Sequence, residues 1–221
     1  MPVMRQELAG ATPLLSGCHK SLLRIIFPSL RGAGVSVFWQ ALYVFWIAGE
    51  VVIAIGTRRT AGSANVQDRG TQILLWVVIV LSLTLSGFLR ALLPDGFRWH
   101  VHWLSLISVM LLVIGLSIRI AAILTLGRSF TANVVTHPDQ KLKRSGLYRI
   151  VRHPSYLGME IILLAIALHS GAWLAMITAF LPPTLAVLYR IRVEEAALTG
   201  AFGDEYEEYR QATKRLIPGL Y

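Results

Sequence analysis

Three long apolar runs, Val35 to Ile55, Ile73 to Leu93 and Leu104 to Leu126, constrain this chain more than any other feature. A hydrocarbon core roughly 30 Å thick is crossed by about 20 apolar residues in a helix, and each run has that length. With 55% hydrophobic residues, 15% charged residues and a mean hydropathy of +0.59 over 221 residues, the chain is too apolar for an ordinary soluble domain. It reads as an all-α, multi-pass integral membrane protein. A fourth apolar region, Tyr156 to Leu188, is too long for one crossing; His169-Ser170-Gly171 divides it, and Pro182-Pro183 is expected to kink its second half. The expectation is about five transmembrane helices. The last two form a C-terminal helical hairpin whose first arm, roughly 24 Å long if it starts at Pro154, only just spans.

The net charge of +9 raises the question of nucleic acid. The basic residues, however, sit in loops beside the apolar runs, so membrane lipids with anionic headgroups are the better partner; no nucleic acid and no protein partner is implied. Arg128, Lys141, Lys143, Arg144, Arg149 and Arg152 face one acid, Asp139, in the stretch that follows the third run. The positive-inside rule places that stretch in the cytosol. Five helices then put the N-terminus outside, against the pull of Arg5, Lys20, Arg24 and Arg31, and Ser21 to Leu30 reads as a short interfacial helix. The single cysteine, Cys18, excludes an internal disulfide and a CxxC site. Leu15-Ser16-Gly17-Cys18 is similar to a lipoprotein cleavage site, but the residues before it are too short and polar for a signal, and Cys18 reads as a free thiol.

The chain divides into a basic N-terminal segment (1–34), a three-helix scaffold (35–126) and a part carrying the candidate chemistry (127–221). Within the scaffold, Glu50 and Arg119 interrupt apolar runs. Arg119, about two turns from the end of its run, is expected to snorkel to the interface; Glu50 reads either as a paired or protonated structural carboxylate or as a functional one. His100 and His102 beside Trp99 and Trp103 read as an interfacial belt rather than a metal site. Val193 to Ala212 is expected to form one amphipathic helix with Leu198, Phe202, Tyr206 and Tyr209 on its apolar face, and Glu205, Glu207 and Glu208 solvated on the other. Arg215-Leu216-Ile217-Pro218 closes it with an apolar tail.

Two segments flank the expected hairpin. Before it, Gly146 to Gly158 collects Tyr148, Arg149, Arg152, His153, Ser155 and Tyr156; after it come Arg190, Glu194 and Glu195. Pro154 suits the first turn of a helix, which puts His153 at a helix N-terminus where free N–H groups favour an anion. Arg190 and Glu194, four residues apart, can form a plain helical ion pair. Alternatively the two segments meet and grip a zwitterion, carboxylates binding its ammonium and His, Arg or helix N–H groups its carboxylate.

The pattern Gly146-x-Tyr148-Arg149-x-x-Arg152-His153-Pro154-Ser155-Tyr156-x-Gly158, followed by Arg190, Glu194-Glu195, Leu198, Phe202-Gly203, Glu205-Tyr206, Tyr209 and Arg215-Leu216-Ile217-Pro218, resembles the isoprenylcysteine carboxyl methyltransferase family over roughly Gly127 to Pro218. That family sits in a wider group that includes phospholipid N-methyltransferases. The resemblance implies S-adenosyl-L-methionine bound on the cytosolic side and a lipidic or prenylated acceptor arriving from the bilayer. It further implies that Tyr148, His153, Pro154, Ser155, Tyr156, Glu194 and Glu195 line the cofactor site, that Asn133 and Gln140 to Lys143 lie against it, and that Arg190 holds the acceptor, making Arg190 and Glu195 the catalytic pair. Gln140-Lys141-Leu142-Lys143 departs from the family's usual His-x-Leu-Val. The only Gly-x-Gly, Gly32-Ala33-Gly34, lacks the third glycine and precedes an apolar run, so the cofactor site is not Rossmann-like. Other acceptors within the same chemistry are a phospholipid amine, a small thiol or a hydrophobic acid. The pattern from Arg152 to Glu195 is also similar to the end of NADPH-dependent sterol reductases, and a silent lipid-binding protein would show the same composition.

Overall fold

The computed structural model describes residues 33–60, 65–66, 70–94, 99, 102–127, 135–136 and 142–219. Cys18, the cations Arg5, Lys20, Arg24 and Arg31, the Ser21 to Leu30 stretch, Gly32 and His100 lie outside them, as do the site candidates Asn133, Gln140 and Lys141. Six helices are described: α1 (Ala33–Thr60), α2 (Thr71–Leu92), α3 (His102–Leu126), α4 (Pro154–His169), α5 (Trp173–Phe202) and α6 (Asp204–Ala212). A 3-10 turn, Gly146–Arg149, precedes α4. By length and composition α2, α3 and α5 are apolar enough to cross a membrane, while α4 and the Val37–Ile53 stretch of α1 are shorter apolar helices.

The helices are inside-out relative to a soluble bundle. Large apolar side chains such as Val52, Ile73, Leu81, Met110, Leu124 and Trp173 are exposed, whereas Ser82, Ser108, Ala122, Ala165, Ala175 and Ala179 are buried. Lipid tails solvate large apolar groups as well as a protein interior does, so helix association depends on close approach between small residues. The most extensive packing joins α3 to α4 and α2 to α5, and α4 against α5 connects the two pairs. At the α3–α4 crossing, a Cβ added to Gly158 would stand 2.8 Å from the Arg119 nitrogen and from the Gly115 carbonyl oxygen. Only glycine permits that approach.

Contacts define the two ends of the bundle. At one end a short antiparallel pair, β1 (Asn65–Val66) with β2 (Val135–Thr136), ties the α1–α2 connection to the α3–α4 connection. This pair is absent from the sequence reading, since two residues carry no periodic signal. At the other end the Trp99 amide donates to the Gly171 carbonyl at 2.8 Å, and Ser86 Oγ donates to the Ala175 carbonyl at 2.7 Å. Between α4 and α5 the chain reverses through Ser170, Gly171 (φ 75°) and Ala172.

Two expectations are corrected. The amphipathic segment Val193 to Ala212 is not one helix: α5 runs through both prolines and on to Phe202, and Gly203, with φ 53°, breaks it before α6. Tyr206 and Tyr209 on α6 are buried, so its apolar side still packs inward. Arg119 does not snorkel. It is 7% exposed and forms an ion pair with Glu50, so that carboxylate is a paired one. Sequence alone did not show that α1 and α3 turn these charges toward each other.

Candidate active site

The chain before α4 and the chain after α6 run side by side. The Arg152 amide donates to the Lys214 carbonyl at 2.8 Å and the His153 amide to the Arg215 carbonyl at 3.0 Å, with Val151 and Lys214 forming a parallel bridge. Tyr209 Oη donates to the Tyr148 carbonyl at 2.5 Å. These bonds use the backbone groups left over where the helices end. Pro154 then occupies the first position of α4, as its missing N–H favours, with His153 as the capping residue.

Glu195, on α5, lies at the centre of this arrangement and is 5% exposed. Its Oε1 accepts from Arg152 Nε at 2.9 Å, and Oε2 accepts from Arg215 Nε at 2.8 Å. His153 Nε2 stands 3.5 Å from Oε1 without making a hydrogen bond. Arg152 also donates through Nη1 to the Arg210 carbonyl at 2.9 Å and to that of Thr213. One carboxylate therefore holds α5, the approach to α4 and the C-terminal tail together.

The neighbouring Glu194 faces different partners. Its Oε2 accepts from Tyr156 Oη at 2.9 Å, and the same hydroxyl accepts from Arg190 Nε at 2.7 Å. Tyr156 thus bridges Arg190 and Glu194, whose spacing had suggested a simple pair. Arg190 is 3% exposed, and its Nη1 donates to Thr71 Oγ1 at 2.8 Å. Thr71 is the first residue of α2, which the sequence reading passed over because a lone threonine opening an apolar run carries no signal. Ser155 is buried and accepts from Arg119. Leu142 is half-buried and Lys143 exposed. Arg152 and Arg215 were noted as cations or tail residues but not as part of the site; their place in the quoted motifs was the available signal.

Several tyrosine hydroxyls in and beside the site are buried. Burial pushes the hydroxyls of Tyr148 and Tyr206 above their ordinary range and that of Tyr209 to about 12, so each is a protonated donor near neutrality. Among the described residues Tyr206 Oη is buried with no hydrogen-bond partner, and His153 Nε2 has only the Glu195 carboxylate, 3.5 Å away. The N-terminus of α4, at His153, has no side-chain cap. Donors here, with the Glu194 carboxylate and the Tyr156 ring nearby, fit a zwitterionic ligand carrying a further positive charge.

Apolar helices, three of them long enough to cross a membrane, bring a polar, donor-rich cluster to one end of the bundle. The sequence profile of the isoprenylcysteine carboxyl methyltransferase family matches residues 107–200. A probable protein-S-isoprenylcysteine O-methyltransferase of Oryza sativa subsp. indica is 33% identical over 193 residues, covering 82% of this chain and 94% of its own. Protein-S-isoprenylcysteine O-methyltransferase A of Arabidopsis thaliana is 29% identical over 184 residues, covering 79% and 88%. The solved eukaryotic intramembrane Ras methyltransferase, an isoprenylcysteine carboxyl methyltransferase, superposes with a TM-score of 0.51 at 28% identity; the match covers 68% of this chain and 51% of that one, so this chain spans about half of that structure. The chain belongs to the isoprenylcysteine carboxyl methyltransferase family and is a membrane methyltransferase.

Proposed function

We propose that this protein transfers a methyl group from S-adenosyl-L-methionine to the carboxylate of an isoprenylcysteine-type acceptor held in the bilayer. The observation that carries the reading is the division of labour at Glu194 and Glu195, adjacent on α5 yet turned to separate clusters. The cluster around Glu195, with His153, the α4 N-terminus and Tyr206, supplies the donor side. Tyr148, Pro154 and Ser155 complete that wall, and Glu194 and Tyr156 separate it from the acceptor side. Because Arg152 and Arg215 already engage both oxygens of Glu195, its chief part is to order this wall. Arg190, oriented by Tyr156 and Thr71, is the cation that meets the acceptor carboxylate. By the family resemblance, Asn133, Gln140 and Lys141, with Leu142 and Lys143, would contact the donor as well.

S-Adenosyl-L-methionine, when bound, supplies a methyl group on a sulfonium. A carboxylate oxygen forms the new C–O bond as the C–S bond breaks, so a cation and an anion become a thioether and an ester, with no proton transferred. Such a reaction gains from alignment and from exclusion of water, which stabilises the separated charges more than the neutral products. Arg190 aligns the acceptor while leaving it anionic.

This reading has α1 to α5 as five crossings, with α4, about 24 Å long at 16 residues, as the shortest. The alternating crossings put the connections before α2 and α4 and the end of α5 on one side. The cationic stretch before α4 makes that side the cytosol. The test is incubation of the detergent-solubilised protein with labelled S-adenosyl-L-methionine and a small prenylated cysteine carboxylate. Base-labile label in the acceptor is expected. Label in a phospholipid amine or thiol would redirect the acceptor, and NADPH binding without S-adenosylhomocysteine binding would overturn the proposal.

A further inference from the structure

The Glu50–Arg119 pair does more than join two helices. Arg119 contacts Glu50 through Nε and, at 2.6 Å, through Nη2, and Trp46 Nε1 donates to the same carboxylate at 3.1 Å. Its remaining arm, Nη1, donates to the Ser155 carbonyl at 3.0 Å and to Ser155 Oγ at 2.9 Å. Ser155 is the second residue of α4, between His153 and Tyr156. We propose that Arg119, aimed by Glu50, is a positioning residue that fixes the first turn of α4 for the methyl donor; this rests on the assignment of His153 to Tyr156 to the donor side.

A buried ion pair adds little net stability compared with well-packed apolar groups, so helix adhesion alone does not call for these charges within apolar runs. The planar guanidinium is suited to holding two partners in fixed directions, which a lysine ammonium is not. The close approach at Gly115 and Gly158 brings the Arg119 backbone against α4 three residues from Ser155. Helix α1, whose Glu50 lies outside the family-matched region, thereby joins the functional unit. Glu50 and Arg119 support this turn from α1 and α3, whereas Arg190 is held by Tyr156 of the same turn and, independently of it, by Thr71 of α2.

The decisive variant is the double replacement Glu50→Leu with Arg119→Met, which removes both charges and retains apolar volume; Arg119→Lys is made alongside it. Calorimetry with S-adenosylhomocysteine, Michaelis constants for donor and acceptor, thermal unfolding and amide exchange over 155–158 are measured. Both variants are expected to unfold near the wild-type temperature, to bind S-adenosylhomocysteine roughly tenfold to a hundredfold more weakly, to exchange faster over 155–158 and to raise the donor KM well beyond the acceptor KM. Wild-type affinity and exchange in a folded double variant would overturn the inference, as would an equal rise in both Michaelis constants. If the double variant does not fold, Arg119→Lys decides by the same readings. If the wild-type protein binds no S-adenosylhomocysteine, the donor assignment fails by itself, and exchange over 155–158 still decides whether Arg119 fixes that turn.

Discussion

Replacing Glu195 by glutamine keeps the side-chain shape and removes the charge on which two guanidinium groups converge. The amide retains one acceptor oxygen but turns an NH2 group toward either Arg152 or Arg215, donor against donor. The Arg152 side chain is 8% exposed, and breaking such a buried pair costs about 3–5 kcal/mol. The Arg215 side chain is 27% exposed, where solvent screening reduces the pair to about 1 kcal/mol or less. The two share one carboxylate, so their losses are not additive, and about 3 kcal/mol is the working figure. It reaches the tail because the same Arg152 guanidinium, once released by Glu195, no longer holds the Arg210 and Thr213 carbonyls that lead into Lys214 and Arg215. Limited trypsin digestion at Lys214 and Arg215 reads this opening, and its rate follows the open population when closing is fast. A loss of about 3 kcal/mol raises tail cleavage roughly a hundredfold. Glu194→Gln still accepts from Tyr156 and should raise it less than about fivefold. Equal protection in the two variants would refute the anchoring role of Glu195.

Gly158→Ala places a methyl group 2.8 Å from the Arg119 nitrogen and the Gly115 carbonyl, forcing α3 and α4 apart at a cost of about 1–3 kcal/mol, visible as a lowered unfolding temperature. An unchanged temperature would mean the crossing is looser than described. Thr71→Val removes a hydrogen bond to a charged group worth about 1.5–3 kcal/mol, so kcat/KM for the acceptor should fall roughly tenfold or more while S-adenosylhomocysteine affinity holds. Loss of donor affinity instead would contradict the placement of Arg190. Burial holds the Tyr209 hydroxyl up at about 12, against the lowering influence of Arg152 and Arg144, whereas an unfolded tyrosine ionises near 10. The folded state keeps a proton that the unfolded state releases. This contribution is therefore full below about pH 10 and is lost as pH rises through about 12. Ultraviolet titration should show a step near 12 that Tyr209→Phe removes.

The residues that could be read from sequence were those whose chemistry conflicts with their surroundings. Apolar length located the helices, Pro154 marked the start of α4, and His153 and Glu195 attracted attention as polar groups at the ends of apolar segments. The structure places these two 3.5 Å apart. The rotational phase of the helices stayed hidden. In a membrane both faces of a helix are apolar, so periodicity did not show that Glu50 and Arg119, 69 residues apart, face one another. The same uncertainty hid Thr71, which matters only because the start of α2 lies beside Arg190. The break at Gly203 was missed for another reason: the apolar face continues across it, and the positive φ that separates α5 from α6 leaves the pattern of Leu198, Phe202, Tyr206 and Tyr209 intact.

In the proposed reading, the adjacency of Glu194 and Glu195 lets one helix serve two ligands of opposite character. Successive residues on a helix point about 100° apart, so two neighbouring carboxylates on α5 address different walls without any intervening loop. Glu195 turns to the tail and the approach to α4, a wall built of charge and backbone at the end of the bundle. Glu194 turns to Tyr156, whose hydroxyl also holds Arg190. A methyl group needs to move only between reacting atoms roughly 3 Å apart, and α5 brings the two walls together within a single turn. Both glutamates also lie beyond the prolines, on the stretch of α5 that continues to Phe202. The length that makes this helix too long for a simple crossing is the length that carries the proposed chemistry out to the end of the bundle.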